Sequence, residues 1–134
     1  MAFAEKPEIA FYQSVGELFY AIAASDKVVR TSEFDALKKL VRNEWLDESH
    51  ATDQYQTDAA YQMEIVFDWF DYERMDANEC FERFQQYVNE HRKAFTEERI
   101  ELIKKTANAI AAAFSGKNKA ELILLAKLDL LFSS

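Results

Sequence analysis

Apolar residues recur at every third or fourth position along almost the whole chain, the spacing that gathers side chains on one face of an α-helix. Over residues 8–24 the stripe is Phe11, Val15, Leu18, Phe19 and Ile22. A polar turn follows. Thr31 or Ser32 can then cap a second helix, whose stripe is Phe34, Leu37, Leu40 and Val41. The run LDESHATDQYQTD, residues 46–58, breaks the periodicity and reads as a loop. Thr57 can cap a third helix reaching about Tyr72, with Met63, Val66 and Phe70 inward. Asp76 followed by Glu79 has the capping-box pattern, and the helix it opens carries Phe81, Phe84, Val88 and His91. Thr96 caps a fifth helix with Ile100, Ile103, Ala107, Ile110 and Phe114, which Gly116 can end in the left-handed conformation. Asn118 and Glu121 form a second capping box. The helix after it, ELILLAKLDLLF, is apolar nearly all round and is expected in the middle of the bundle.

These elements predict an all-α fold, a compact bundle of about six to seven helices forming one domain over residues 1–134. Composition agrees. Hydrophobic residues make up 49% and there are only two Gly and one Pro, too few for a turn-rich β fold or a glycine-lined phosphate loop.

An internal repeat organises the chain further. AIAASDKVVRTSE at residues 21–33 returns as AIAAAFSGKNKAE at 109–121, an offset of 88 residues. Beyond the Ala-Ile-Ala-Ala core, Glu33 matches Glu121, Leu37 and Leu40 match Leu125 and Leu128, and Lys39 matches Lys127. Alanine-rich helix ends also let neighbouring helices approach closely, so a shared packing need can produce the same likeness. A duplication predicts two helix–turn–helix units packed about a pseudo-twofold axis.

Charge narrows the partners. The formal net charge is −8, and residues 44–82 hold twelve acidic side chains against Arg74 alone. Such a surface repels phosphate backbones, which argues against nucleic acid, and it can attract cations or a basic protein partner, or serve only as a solvated face. Cys80, the one cysteine, cannot close an internal disulfide and suits a reducing compartment. No histidine lies near it, so a structural thiol is expected rather than a nucleophile. The opening MAFAEKPEIAFYQS lacks the basic-then-apolar order of a leader, and LILLA is too short for membrane insertion. The expected location is cytoplasmic.

Candidate chemistry is sparse. Asp26 ends one helix and Glu33 opens the next, so their carboxylates can meet across the turn as hard ligands for a divalent cation. The alternative is that Glu33 complements a helix N-terminus and Asp26 satisfies turn backbone. An EF-hand is excluded, because counting from Asp26 places Val28, Arg30 and Leu37 at the third, fifth and twelfth positions. Glu64, Asp68 and Asp71 share one helix face and would enlarge an oxygen-rich pocket if they faced that turn, or remain solvated if they did not. A di-iron bundle needs two Glu-x-x-His pairs, yet His50 and His91 follow Asp47 and Val88 at that spacing. With no nucleophile context and no zinc spacing, the chain is not expected to be an enzyme. VFDWFDYERM, residues 66–75, is aromatic on more than one face. It either contacts a partner or is covered within the domain.

The turn itself resembles the TerB-like family of tellurite-resistance proteins, whose pattern is an alanine-rich helix, Ala-Asp-Gly, a short linker and a Glu opening the next helix. The likeness covers residues 16–41, including LFYAIAASDKVVRTSEFDALKKLV, and more weakly 105–128. It implies a compact helical domain, a bacterial cytoplasmic setting, a link to stress response, and an acidic surface suspected of binding metal, without an established catalytic activity. By position the family's acids fall on Asp26 and Glu33, with Glu121 offered by the second copy; the implied cation is Ca²⁺, Mg²⁺ or Zn²⁺. Two departures stand out. Lys27 replaces the family's Gly, and Phe114, or Ser115–Gly116 with a one-residue gap, stands opposite Asp26, so the second copy loses an acid.

Overall fold

The computed structural model describes residues 7–25, 31–50, 59–114 and 119–133, with the side chains at 7–8, 31–34, 46–50, 59–61, 114 and 120–121 left out. Its elements are α1 (Pro7–Ala23), α2 (Thr31–His50), α3 (Ala59–Glu73), α4 (Ala77–Glu90), a 3-10 turn (Arg92–Ala94), α5 (Glu97–Phe114) and α6 (Lys119–Ser133). The fold is an all-α bundle, and no strand occurs among the described residues.

The bundle is built around α1. Every residue from Phe11 to Ala23 is buried, including the polar Gln13, Ser14 and Glu17. α3 and α4 pack most extensively against it, and α5 and α6 also reach it. α2 leans mainly on α3 and α5. Small residues make this possible. A Cβ added at Gly16 would stand 3.1 Å from the Met63 Cα and 3.4 Å from its carbonyl oxygen, so glycine is what lets the α1 and α3 backbones approach closely.

Aromatic rings of α1 then reach outward into each neighbour. Phe19 and Tyr12 meet Trp45 of α2 at 6.1 and 6.3 Å between centroids, and Tyr20 meets Phe70 of α3 at 5.8 Å. Phe11 lies 5.0 Å from Phe95, which also contacts Phe84 of α4 and Phe132 of α6. The edge-on and tilted geometries are those the ring quadrupoles favour. The Arg99 guanidinium covers the Phe11 ring at 4.1 Å.

Helix ends follow local chemistry. Asp76 accepts from the Glu79 N–H at 3.1 Å and caps α4; Thr96 accepts from the Arg99 N–H at 3.2 Å and caps α5. α3 stops in a Schellman arrangement, with Met75 N donating to Phe70 O at 3.1 Å and Arg74 N to Asp71 O at 3.2 Å. Arg74 occupies the left-handed position, φ 54°, where glycine is usual.

Three expectations are corrected. Residues 46–50 continue α2 instead of starting a loop, because losing the apolar stripe does not remove helix propensity and no Gly or Pro intervenes. His91 does not lie within α4; it is the C-cap just past Glu90, exposed and stacked on Tyr87 at 4.2 Å. α6 lies at the edge of the bundle rather than in its middle. It buries Leu124, Leu125, Leu128 and Leu131, while Leu122, Ile123 and Leu130 face outward. The central place belongs to α1, where Gln13, Ser14 and Glu17 find hydrogen-bond partners and Gly16 admits a close neighbour. The proposed caps Thr57, Gly116 and Asn118 lie outside the described residues.

The matched positions of the repeat agree in burial only in part: Ala21 is buried and Ala109 half-buried, Leu40 half-buried and Leu128 buried. Ile22 and Ile110, Ala23 and Ala111, and Leu37 and Leu125 are buried in both copies.

Candidate functional site

Large apolar side chains face outward on two helices: Leu122, Ile123 and Leu130 on α6, and an aromatic-bearing stripe on the outer side of α3. The core takes Met63, Val66, Phe67 and Phe70. The remaining apolar residues, Ile65, Trp69 and Tyr72, follow one another at i, i+4 and i+7 and form an outward stripe, 40, 43 and 83% exposed. The aromatic run of the sequence therefore divides, two rings inward and two outward. Beside the stripe, Trp69, Phe70, Glu73, Met75 and Arg83 line a hollow of about 180 Å³.

Acids surround it. Residues 59–90 carry eight acidic side chains against Arg74 and Arg83. On the side facing α2, Glu64 pairs with Arg42 at 2.7 Å and Asp68 with Lys38 at 2.8 Å. Such exposed pairs contribute about 0–1 kcal/mol each, and here they also neutralise that edge. Asp71 and Glu73 have no ion-pair partner among the described residues. The Tyr20 hydroxyl, pushed up to about 12 by burial and then by Asp71, shows that this charge reaches into α1.

A buried polar cluster lies one layer beneath. Glu17, 3% exposed at its side chain, accepts from Arg83 Nε at 2.9 Å. Burial raises its carboxyl, the Arg83 hydrogen bond and charge opposing it, and the arginine is raised in turn by Glu17. Cys80 is buried in the same layer, its thiol pushed up to about 12 by burial first and Glu17 second. Both the burial and the direction of that shift suit a thiol that serves in packing.

The stripe Glu64, Asp68 and Asp71 does form one face, and two of its members are spent on α2 side chains. Asp26 lies outside the described residues. Glu33 and Glu121 belong to the first turns of α2 and α6, with their side chains outside the described set. Among the described residues, no group of three or more His, Cys, Asp and Glu could hold a metal ion. None of their helices is long and apolar enough to cross a membrane.

No protein-family model matches the chain, and no curated protein or solved structure matches it either.

Sequence reasoning missed the Glu17–Arg83 pair. Its signal was present, since Glu17 is the one charged residue between Ile9 and Ser25, but nothing in the sequence named a partner 66 positions away. The pair has a pH signature. Because the folded carboxyl of Glu17 is raised above its unfolded value of 4.5, its favourable contribution is complete below that value and is lost as pH rises through the folded pKa. Urea unfolding of wild type and Glu17→Gln across pH 4–8 is expected to show the variant gaining relative stability as pH rises through that window. A difference independent of pH would contradict the assignment.

Proposed function

We propose that this protein acts by binding another protein, and that the outer face of α3 is the binding surface. The observation that carries the reading is the exposure of Trp69 and Tyr72 in one stripe with Ile65, while the adjacent Phe67 and Phe70 are fully buried. Large aromatic side chains left in water forgo roughly 1.5–3 kcal/mol each of burial, which a partner can recover. The unpaired Asp71 and Glu73 select a basic partner, and a helix stripe of this length suits an amphipathic basic segment laid across it. The test is a titration with a Leu/Lys-rich amphipathic helical peptide, followed by Trp fluorescence and calorimetry. Saturable binding is expected, weakened about tenfold or more by Trp69→Ala and by added salt. No saturable binding, or equal binding by Trp69→Ala, would contradict it.

A second reading is a TerB-like, non-enzymatic stress-response domain that holds Ca²⁺, Mg²⁺ or Zn²⁺ at the acidic turn of Asp26 and Glu33, with Glu121 as the residue offered by the second copy. It is supported by the shared burial of Ile22 and Ile110, Ala23 and Ala111, and Leu37 and Leu125, since the repeat is what carries the resemblance. Calorimetric titration of wild type and Asp26→Asn with each cation tests it. Saturable heat lost in the variant is expected; absence of heat in the wild type removes the cation claim.

A further inference from the structure

On the other side of α4, between that helix and α6, runs a groove of about 670 Å³, within the usual size range of a ligand site. Its α4 wall repeats polar side chains at Asn78, Glu82, Gln85 and Asn89, steps of four, three and four that keep them on one helix face. Lys127 and Leu130 stand on the α6 wall, and Leu130 is 71% exposed. Arg92 closes one end. Its guanidinium donates to Leu131 O at 3.1 Å and to Asn89 Oδ1 at 2.7 Å, which fixes its position and leaves further N–H donors for a ligand.

We propose that this groove binds an extended peptide of a partner protein and holds its terminal carboxylate between Arg92 and Lys127. The carboxamides of Asn78 and Gln85 both donate and accept, as each peptide unit does, and the Glu82 carboxylate between them accepts from a peptide N–H, so this wall can pair with a peptide backbone whatever its side chains. The side chains of Asn78 and Gln85 make no hydrogen bond among the described residues, so their capacity is unspent. An incoming helix would have satisfied its own backbone groups and could not use the row; an extended chain exposes them. From Asn78 to Asn89 the helix rises about 16 Å, the reach of about five extended residues.

Charge sets the polarity of the bound peptide. Lys127 has no ion-pair partner among the described residues, and with Arg92 it makes the groove's cationic part. Glu82, midway along α4, disfavours a negative charge at the centre and so directs the carboxylate to the Arg92 end. Leu130 offers an apolar contact to one peptide side chain. The sign is opposite to that of the α3 face, so the two surfaces take different partners, and this site stands independently of the α3 reading.

The test is selection of a random heptapeptide library displayed with free C-termini, followed by synthesis of the best clone as free acid and as C-terminal amide. The free acid is expected to shift the side-chain NH₂ resonances of Asn78 and Gln85. The amide form and the Lys127→Ala variant are each expected to weaken binding by roughly tenfold. Trp69→Ala should bind as wild type does. Failure to enrich any peptide, equal binding of acid and amide, or shifts confined to α3 would overturn the proposal.

Discussion

A helix with no solvent-facing side is the constraint on which this molecule depends. Once Phe11–Ala23 is buried all round, its neighbours must cover every face of it, and burying Gln13, Ser14 and Glu17 is tolerable because each is hydrogen-bonded inside the bundle. Ser14 Oγ donates to Phe11 O at 2.9 Å, Gln13 Nε2 to Gln62 Oε1 at 3.2 Å, and Glu17 accepts from Arg83. The same demand recurs in the outer layer, where Trp45 Nε1 donates to Thr106 Oγ1 at 3.1 Å and Thr106 in turn to Leu102 O at 2.8 Å. These bonds fix which faces of α2, α3, α4 and α5 turn inward. What remains outward, the Ile65–Trp69–Tyr72 stripe and the amide row of α4, is a consequence of that choice.

The Glu17–Arg83 pair holds the most deeply buried charge among the ion pairs of the described residues. A carboxylate at such depth loses its hydration, and the arginine, partly exposed and lying 5.9 Å from the Phe70 ring centroid, returns part of that loss while keeping its own head near water. Removing the arginine alone would leave an unpaired buried charge. Removing both charges together is the milder change. The pair ties α1 to α4 in one orientation, and so sets where α4 presents its outer residues.

Much of the fold was legible as periodicity. The all-α class, the stripes of α1, α3, α4 and α5, and the caps at Asp76 and Thr96 are local patterns with local causes. The order of burial was not. α6 is richer in leucine than its surroundings, yet Leu122, Ile123 and Leu130 face outward, because composition does not say which helix its neighbours can approach most closely. Gly16 and the alanines of α1 decided that. The surface readings divide in the same way. The two-faced aromatic run could be seen in the sequence, but only packing shows that Phe67 and Phe70 go inward and Trp69 and Tyr72 outward. The pairing of Glu64 and Asp68 with α2 depends on contacts between positions more than twenty residues apart, which no local pattern encodes.

The surfaces left by this arrangement carry opposite chemistry: an acidic, aromatic ridge on α3 and an amide-lined groove with two cations between α4 and α6. Both rest on rigid helices whose placement follows from α1. Native-state hydrogen exchange with urea tests that dependence most directly. Amides of Phe11–Ala23 should exchange only through global unfolding, with the free energy and urea dependence of the whole transition. Exchange of α1 through local opening, at lower free energy than α4, would contradict the central place given to it.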